Sequence, residues 1–346
     1  MGEDSRPSTG PTGRDRTMAG IMKDNTDQLR HEIVSDDDLD LTDVDLSMHS
    51  GCNWIAAISE IGEQHGFAEP LGKRHHAVFV EDGDTLLVSF ESMPGISSYS
   101  QTATPLGWEM QAIEGWSSLS LICTADTWFR DAEVIRFFDQ LLDDGFFDAF
   151  EKVIFYGAGP CGYAAAAYSV AAPGARVVLL QPQATLDPRI AEWDDRFPEM
   201  RRVDFASRFG YAPDMIDAAH AAYVLYDPQE RMDAMHAALF ERRNVSRFRL
   251  PYMGDALQGD LLELDLVHPI LAAAADDRLD RAEMARLLRA RRNHTPYLRR
   301  LLSRLDVENR PLLAEWLCAN VTARLNAPRF RRRLDALRAE GEAREG

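Results

Sequence analysis

Hydrophobic and polar positions alternate in two rhythms along this chain, and the change from one to the other divides it. Residues 1 to about 50 have neither rhythm: they are rich in Gly, Pro, Ser and Thr and end in Ser35-Asp36-Asp37-Asp38-Leu39-Asp40. Such a segment buries too little to order itself, and an acidic disordered tail is expected over 1–50. From Trp54 a helical spacing runs to His65. Ala77-Val78-Phe79-Val80 and Leu86-Leu87-Val88-Ser89-Phe90 then flank Asp82-Gly83 and predict a hairpin. Leu119 to Cys123 predicts a third strand. Asp131 to Phe147 carries Val134, Ile135, Phe138, Leu141 and Leu142 at helical spacing behind the cap Asp131.

The alternation of element types then becomes regular. A strand over Lys152–Tyr156, a glycine turn, an Ala-rich helix over Tyr163–Ala172 and a strand over Arg176–Leu180 follow one another. A strand over Ala222–Tyr226, a helix over Arg231–Phe240 and a strand over Val245–Leu250 complete the series. Strands alternating with helices predict an α/β fold, a mostly parallel sheet flanked by helices. Beyond Leu261 only helical spacing remains, over Leu261–Ala275, Arg281–Leu305 and Pro311–Leu325. The expected organisation is a tail (1–50), a core (51–260) and a helical extension (261–346).

Composition narrows the function. The 346 residues carry 38 basic and 56 acidic side chains, a net charge of −18, which argues against general nucleic-acid binding because a phosphate backbone would be repelled. From Asp276 onward, however, 17 Arg stand against 11 acids. This basic extension predicts docking on the chain's own acidic body, on an acidic partner or on RNA. No run of about 18 apolar residues predicts a membrane span, and MGEDSRPSTGPTGRDR lacks the pattern of a secretory leader, so a cytoplasmic protein without membrane contact is expected. Cys52, Cys123, Cys161 and Cys318 have no metal-knuckle spacing and read as free thiols.

The sharpest local signal is Val153-Ile154-Phe155-Tyr156-Gly157-Ala158-Gly159-Pro160-Cys161-Gly162-Tyr163, a strand ending in a glycine turn that opens a helix. One chemistry for that shape is a pyrophosphate cradle, with Gly157, Gly159 and Gly162 binding FAD or NAD(P) at the helix N-terminus. The turn resembles the flavin-binding Gly-Ala-Gly-Pro-x-Gly run. Gln181, however, stands where a ribose-binding carboxylate is expected, and several strands precede the turn.

That position in the chain suits the other chemistry, a nucleophile elbow. Residues Val153 to Arg196 resemble an α/β-hydrolase-fold group whose elbow reads Tyr-Gly-x-Ser-x-Gly-Gly-Tyr-Ala. Gln181-Pro182-Gln183 and Asp194-Asp195-Arg196-Phe197 match its later parts. The resemblance implies a serine at 159, an acid at Asp227 and a histidine after Gly254. The chain has Gly159 and Asp255 at the first and last of these, so it implies a hydrolase fold with an incomplete triad, binding a small ligand and no cofactor. Cys161 is the remaining nucleophile, since a helix N-terminus lowers a thiol's pKa, and the site expectation is Cys161 and Asp227, with Gly159 and Pro160 lining the same cleft.

Other candidates carry blander readings. Asp233 and His236 share one helical face, expected to be solvated. His75-His76, His268 and His294 read as surface residues, and Trp108, Trp116 and Trp128 as a loop-anchoring cluster or a lid. A sulfonucleotide reductase is disfavoured: neither the Ser-Gly-Gly-x-Asp-Ser loop of that family nor its Gly-Leu-His end occurs, and Cys318 sits on an apolar helical stripe.

Overall fold

The computed structural model describes residue 41 and residues 44–345; most of the expected acidic tail lies outside the described residues. Leu41 and Leu46, near its end, are buried against Trp54 and Ile58 of the first helix.

In chain order the elements are α1 (Gly51–His65), β1 (Gly66–Leu71), β2 (His75–Val80), β3 (Thr85–Ser92), α2 (Met93–Tyr99), α3 (Leu106–Glu114), β4 (Ser117–Cys123), α4 (Ala132–Asp143) and β5 (Lys152–Ala158). They continue with α5 (Pro160–Tyr168), β6 (Arg176–Leu180), β7 (Ala221–Tyr226), α6 (Arg231–Leu239), β8 (Val245–Arg249), α7 (Leu257–Glu263), α8 (Val267–Ala275) and α9 (Arg281–Leu287). Last come α10 (Thr295–Val307), α11 (Pro311–Arg324) and α12 (Pro328–Glu345).

Eight strands form one sheet in the order β1-β2-β4-β3-β5-β6-β7-β8, antiparallel through β2 and parallel from β4 onward. Along β5, Val153 and Phe155 face one core while Ile154 and Tyr156 face the other; Val177 and Leu179 against Val178 and Leu180 repeat the division on β6. Both faces are therefore covered, α4 and α5 on one side and α3 and α8 on the other, which is why the central strands read as unbroken apolar runs. This is a mostly parallel α/β sheet covered by helices on both faces, with a helical C-terminal region.

The expected hairpin is corrected. β2 and β3 are not partners: β4, buried at all seven positions, lies between them, pairing antiparallel with β2 and parallel with β3. The apolar content of both segments is satisfied by this central strand, and the Asp82-Gly83 turn only connects them. β2 takes β1 as its other neighbour. That strand carries Gly66 and Pro70 and escapes a propensity reading, but an edge strand tolerates proline because one side of its backbone needs no partner.

The C-terminal helices divide in two. Ile270, Leu271, Ala273 and Ala274 of α8 pack with Ile154 and Val178 against the sheet, so α7 to α9 belong to the layered body. α10 to α12 enclose a core of their own around Leu298, Leu302, Cys318, Val321 and Phe330. The single helix expected over Arg281–Leu305 is broken at Leu288–Asn293, a 3₁₀ segment before Pro296 at the start of α10. No helix among the described residues is long and apolar enough to cross a membrane.

Candidate functional site

In an open parallel sheet the ligand crevice forms at the carboxyl ends of the strands, where successive connections leave a strand in opposite directions. Here the chain goes from β3 out to β4 and returns to β5 on β3's other side, so that point lies at the ends of these three strands. A cavity of about 240 Å³ occupies it. Glu91, Cys123 and Ala158 line it from the strand ends, Pro160 and Cys161 from the start of α5, and Trp128 from the loop before α4.

The glycine turn contributes Ala158, Pro160 and Cys161 to the lining, whereas Gly159, expected in the same cleft, is not among the lining residues. Gly159 has φ 55° and ψ −122°; its N–H donates to the Leu180 carbonyl at 2.8 Å, and its carbonyl accepts from the Tyr163 N–H at 3.0 Å. A Cβ built at Gly159 meets nothing within 4 Å, so the apex backbone is shaped to present a side chain that the residue lacks. The other two glycines answer to packing alone. A Cβ on Gly157 would stand 2.2 Å from the Cys161 carbonyl oxygen, and one on Gly162 3.1 Å from the Gly157 carbonyl and 3.3 Å from Pro182. Gly157 and Gly162 are thus accounted for by packing without any bound pyrophosphate. Pro160, next after the apex, has no N–H, and that N–H is half of the oxyanion hole in serine hydrolases built on such an elbow.

Cys161 lines the cavity but is not activated. The adjoining Cys123 thiol, burial and the nearby Glu91 and Asp126 push its pKa well above the ordinary value, while the Cys123 thiol of the same pair is shifted down. Asp227 lies at the end of β7, away from the cavity lining. Its carboxylate accepts from the Gln229 N–H at 2.8 Å and the Gly254 N–H at 2.7 Å. Among the described residues no histidine bonds to it, and the loop that would carry one is tied down by its backbone instead. The structure therefore brings Pro160 and Cys161 together and leaves Asp227 apart.

Glu91 escaped the sequence reading. It ends β3 with only 9% of its surface exposed; Oε1 accepts from Ser89 Oγ at 2.7 Å, and both oxygens lie 3.2 Å from the Leu106 N–H that opens α3. Burial raises its pKa to about 7 against these bonds, with help from Glu109. The available signal was an acid closing an apolar run, Leu86-Leu87-Val88-Ser89-Phe90-Glu91, where alternation makes it inward-facing.

Several bland readings are corrected. Asp233 and His236 are buried, not solvated. His236 Nδ1 accepts from the Ala184 N–H at 3.1 Å, so Nε2 carries the proton and donates to Asp194 at 2.9 Å. Arg196 bridges Asp194 and Asp233, and Gln181 donates to Asp233 at 2.6 Å. Burial pushes the Asp194 pKa up, but the bonds from His236 and Arg196 win and hold it well below the usual carboxylate range. The Gln-Pro-Gln and Asp-Asp-Arg segments are thus the two sides of one structural network under β6 and β7. His75 is buried on Thr127 Oγ1 at 2.7 Å, and His294 is buried 3.0 Å from Asp260; both were expected at the surface. The three tryptophans are no cluster: Trp108, Trp116 and Trp128 pack in three different regions, and only Trp128 lines the cavity.

No family model and no curated protein matches the chain. Solved structures do. EstE1, a thermophilic carboxylesterase from a metagenomic library, is similar at 13% identity with a TM-score of 0.40, over 67% of this chain and 97% of that one. An esterase from Pyrobaculum calidifontis is similar at 14% identity and 0.40, over 65% and 94%. The HSL homologue EstE7, also from a metagenome library, is similar at 15% identity with a TM-score of 0.40, over 71% and 97%.

Proposed function

We propose that this chain is a hydrolase-fold protein that binds a small ligand in the cavity at the ends of β3, β4 and β5 and does not perform serine-hydrolase chemistry. The observation that carries the reading is the apex pair. Gly159 holds the φ/ψ of a presenting elbow without an attacking atom, and Pro160 removes the N–H that would stabilise an oxyanion. A third loss supports it: Asp227 is engaged by the Gly254 N–H where the acid of a triad would orient a histidine. Each part of acyl transfer lacks its group, while the cavity remains.

The dinucleotide alternative is less well supported. No Lys, Arg or His lines the cavity, three carboxyl side chains do, and a pyrophosphate would be repelled there. An interaction role has one observation in its favour, the exposed apolar side chains of Leu312 and Trp316 on α11; it predicts that Trp316→Ala alters self-association in sedimentation.

The test is turnover of p-nitrophenyl acetate and butyrate. The wild-type protein is expected to match the buffer rate, and Gly159→Ser to stay at that rate because no histidine serves it. Turnover that Cys161→Ala abolishes would replace this reading with a cysteine hydrolase.

A further inference from the structure

We propose that the open edge of β8 and the arginine-lined groove beside it bind an extended acidic peptide of a protein partner, which adds as a strand alongside β8 with its carboxylates on the arginines. The inference goes beyond the ligand-binding reading above, and the groove shares no residue with the strand-end cavity.

Charge is the first ground. A groove of about 880 Å³ runs between β8, α9 and the 3₁₀ segment Leu288–Asn293, lined by seven arginines and by no acid. On a chain of net charge −18 that is a local reversal of sign. Three of the guanidinium groups are engaged: Arg247 lies 3.6 Å from Glu241, Arg286 donates to Glu283 at 2.6 and 2.7 Å, and Arg291 lies over the Tyr297 ring at 5.0 Å. Those of Arg249, Arg281, Arg289 and Arg292 belong to exposed residues and have no acceptor among the described residues. Charges on an edge strand guard it against a second apolar strand, but Arg281, Arg289 and Arg292 are not on the strand, so edge protection does not account for them. A partner carrying carboxylates relieves the repulsion among these like charges and gives each free fork a bidentate acceptor.

The strand edge is the second ground and does not depend on charge. β8 is the last strand of the sheet and pairs with β7 alone. The Asn244 carbonyl accepts from the Ala222 N–H at 2.8 Å and the Leu250 N–H donates to the Tyr226 carbonyl at 2.8 Å, so the even-numbered residues turn their backbone to β7. Alternation then turns the N–H and C=O groups of Arg247 and Arg249 to the open side, about 6.6 Å apart, the repeat at which an added strand bonds. Ser246, Arg247 and Arg249 are exposed, and no strand among the described residues covers that edge. Main-chain bonds of this kind supply affinity and the flanking side chains supply specificity, here for acids. They also separate a peptide from a nucleic acid, which has phosphates for the arginines but no backbone to pair with β8, and whose long run of charge the acidic body repels.

Fluorescence anisotropy of the full chain with four labelled probes separates the two grounds. The probes are an eight-residue peptide of alternating Val and Asp, the same peptide with Asn for Asp, the acidic peptide with every backbone N–H methylated, and a ten-nucleotide single-stranded DNA. The acidic peptide is expected to bind tightest, with the Asn peptide and the methylated peptide each weaker by at least about tenfold, the size of a lost charge-assisted or main-chain hydrogen bond. The triple variant Arg249→Gln, Arg289→Gln, Arg292→Gln changes exposed side chains alone, so its circular dichroism should match that of the wild type. It is expected to weaken the acidic peptide by at least about tenfold and to leave the Asn peptide unchanged. Raising the salt from about 50 to about 300 mM should weaken the acidic peptide on the wild type and much less on the triple variant. Equal binding of the acidic and Asn peptides, undiminished binding of the methylated peptide, an unaffected triple variant, tighter binding of the DNA than of the acidic peptide, or no binding of any probe would overturn the proposal.

Discussion

Replacing Glu91 with glutamine makes the native state more stable, and more so as the pH rises. The carboxyl is buried at the end of β3, and burial raises its pKa from an ordinary 4.5 to about 7 despite the Ser89 and Leu106 bonds. A carboxyl whose native pKa exceeds its unfolded one favours folding in its protonated form. That contribution is complete below pH 4.5 and is lost as the pH rises through about 7. The span between the two values corresponds to about 3 kcal/mol. A glutamine side chain imitates the protonated acid, keeping an acceptor for the Ser89 hydroxyl and the Leu106 N–H. The difference in unfolding free energy between variant and wild type should therefore be near zero at about pH 4.5 and grow to about 3 kcal/mol above pH 7. Urea denaturation at a series of pH values, with coincident fluorescence and circular dichroism, measures it. A difference that stays flat with pH would refute the reasoning, because it would mean that Glu91 ionises at its ordinary value in the folded protein.

Other outcomes follow from the same geometry. Gly157→Ala, whose Cβ would meet the Cys161 carbonyl at 2.2 Å, should cost about 3 kcal/mol or more, while Gly159→Ala, with open space around its Cβ, should cost only the backbone strain of about 1–3 kcal/mol; paired thermal melts compare them. Asp194→Asn should destabilise by about 3–5 kcal/mol in urea titration, because it disrupts the buried pairing with Arg196 and His236. Burial lowers the His236 pKa, so the unfolded chain takes up a proton below pH 6.5 that the native histidine refuses; the His236 contribution to stability, read as the difference between wild type and His236→Gln in urea titration, should shrink with acid through that range. Of the four cysteines, Cys52 is exposed and should react with Ellman's reagent at once, whereas Cys123, Cys161 and Cys318 should be slow until the protein unfolds; rapid modification of Cys161 would contradict its protonated, hydrogen-bonded thiol.

The parallel half of the sheet was legible because β5, β6 and β7 are covered on both faces, and full burial writes itself as Val-, Ile- and Leu-rich runs. The antiparallel end was not. Local propensity sees an apolar run, an Asp-Gly and another apolar run as a hairpin, but pairing is decided by the most buried strand, and β4 outcompetes the turn from about 30 residues away. What the apex residues lack was legible for a covalent reason: glycine at 159 and proline at 160 have no attacking atom and no N–H in any fold. Long-range partners were hidden. Nothing in sequence ties His236 to Asp194 or Gln181 to Asp233, so a buried network read as a solvated helix face. Cys161 lines the cavity, yet the sign of its pKa change depends on Cys123, Glu91 and Asp126, which only the assembled strand ends bring near.

The central claim, an elbow that keeps its shape without a nucleophile, is tested most directly by intact-mass spectrometry after incubation with a fluorophosphonate probe, which captures activated hydroxyl nucleophiles. The account predicts an unchanged protein mass, with Gly159 unable to react and the Cys161 thiol held protonated against Cys123. A stoichiometric adduct that peptide mapping places at Cys161, or at any other cavity-lining residue, would contradict it.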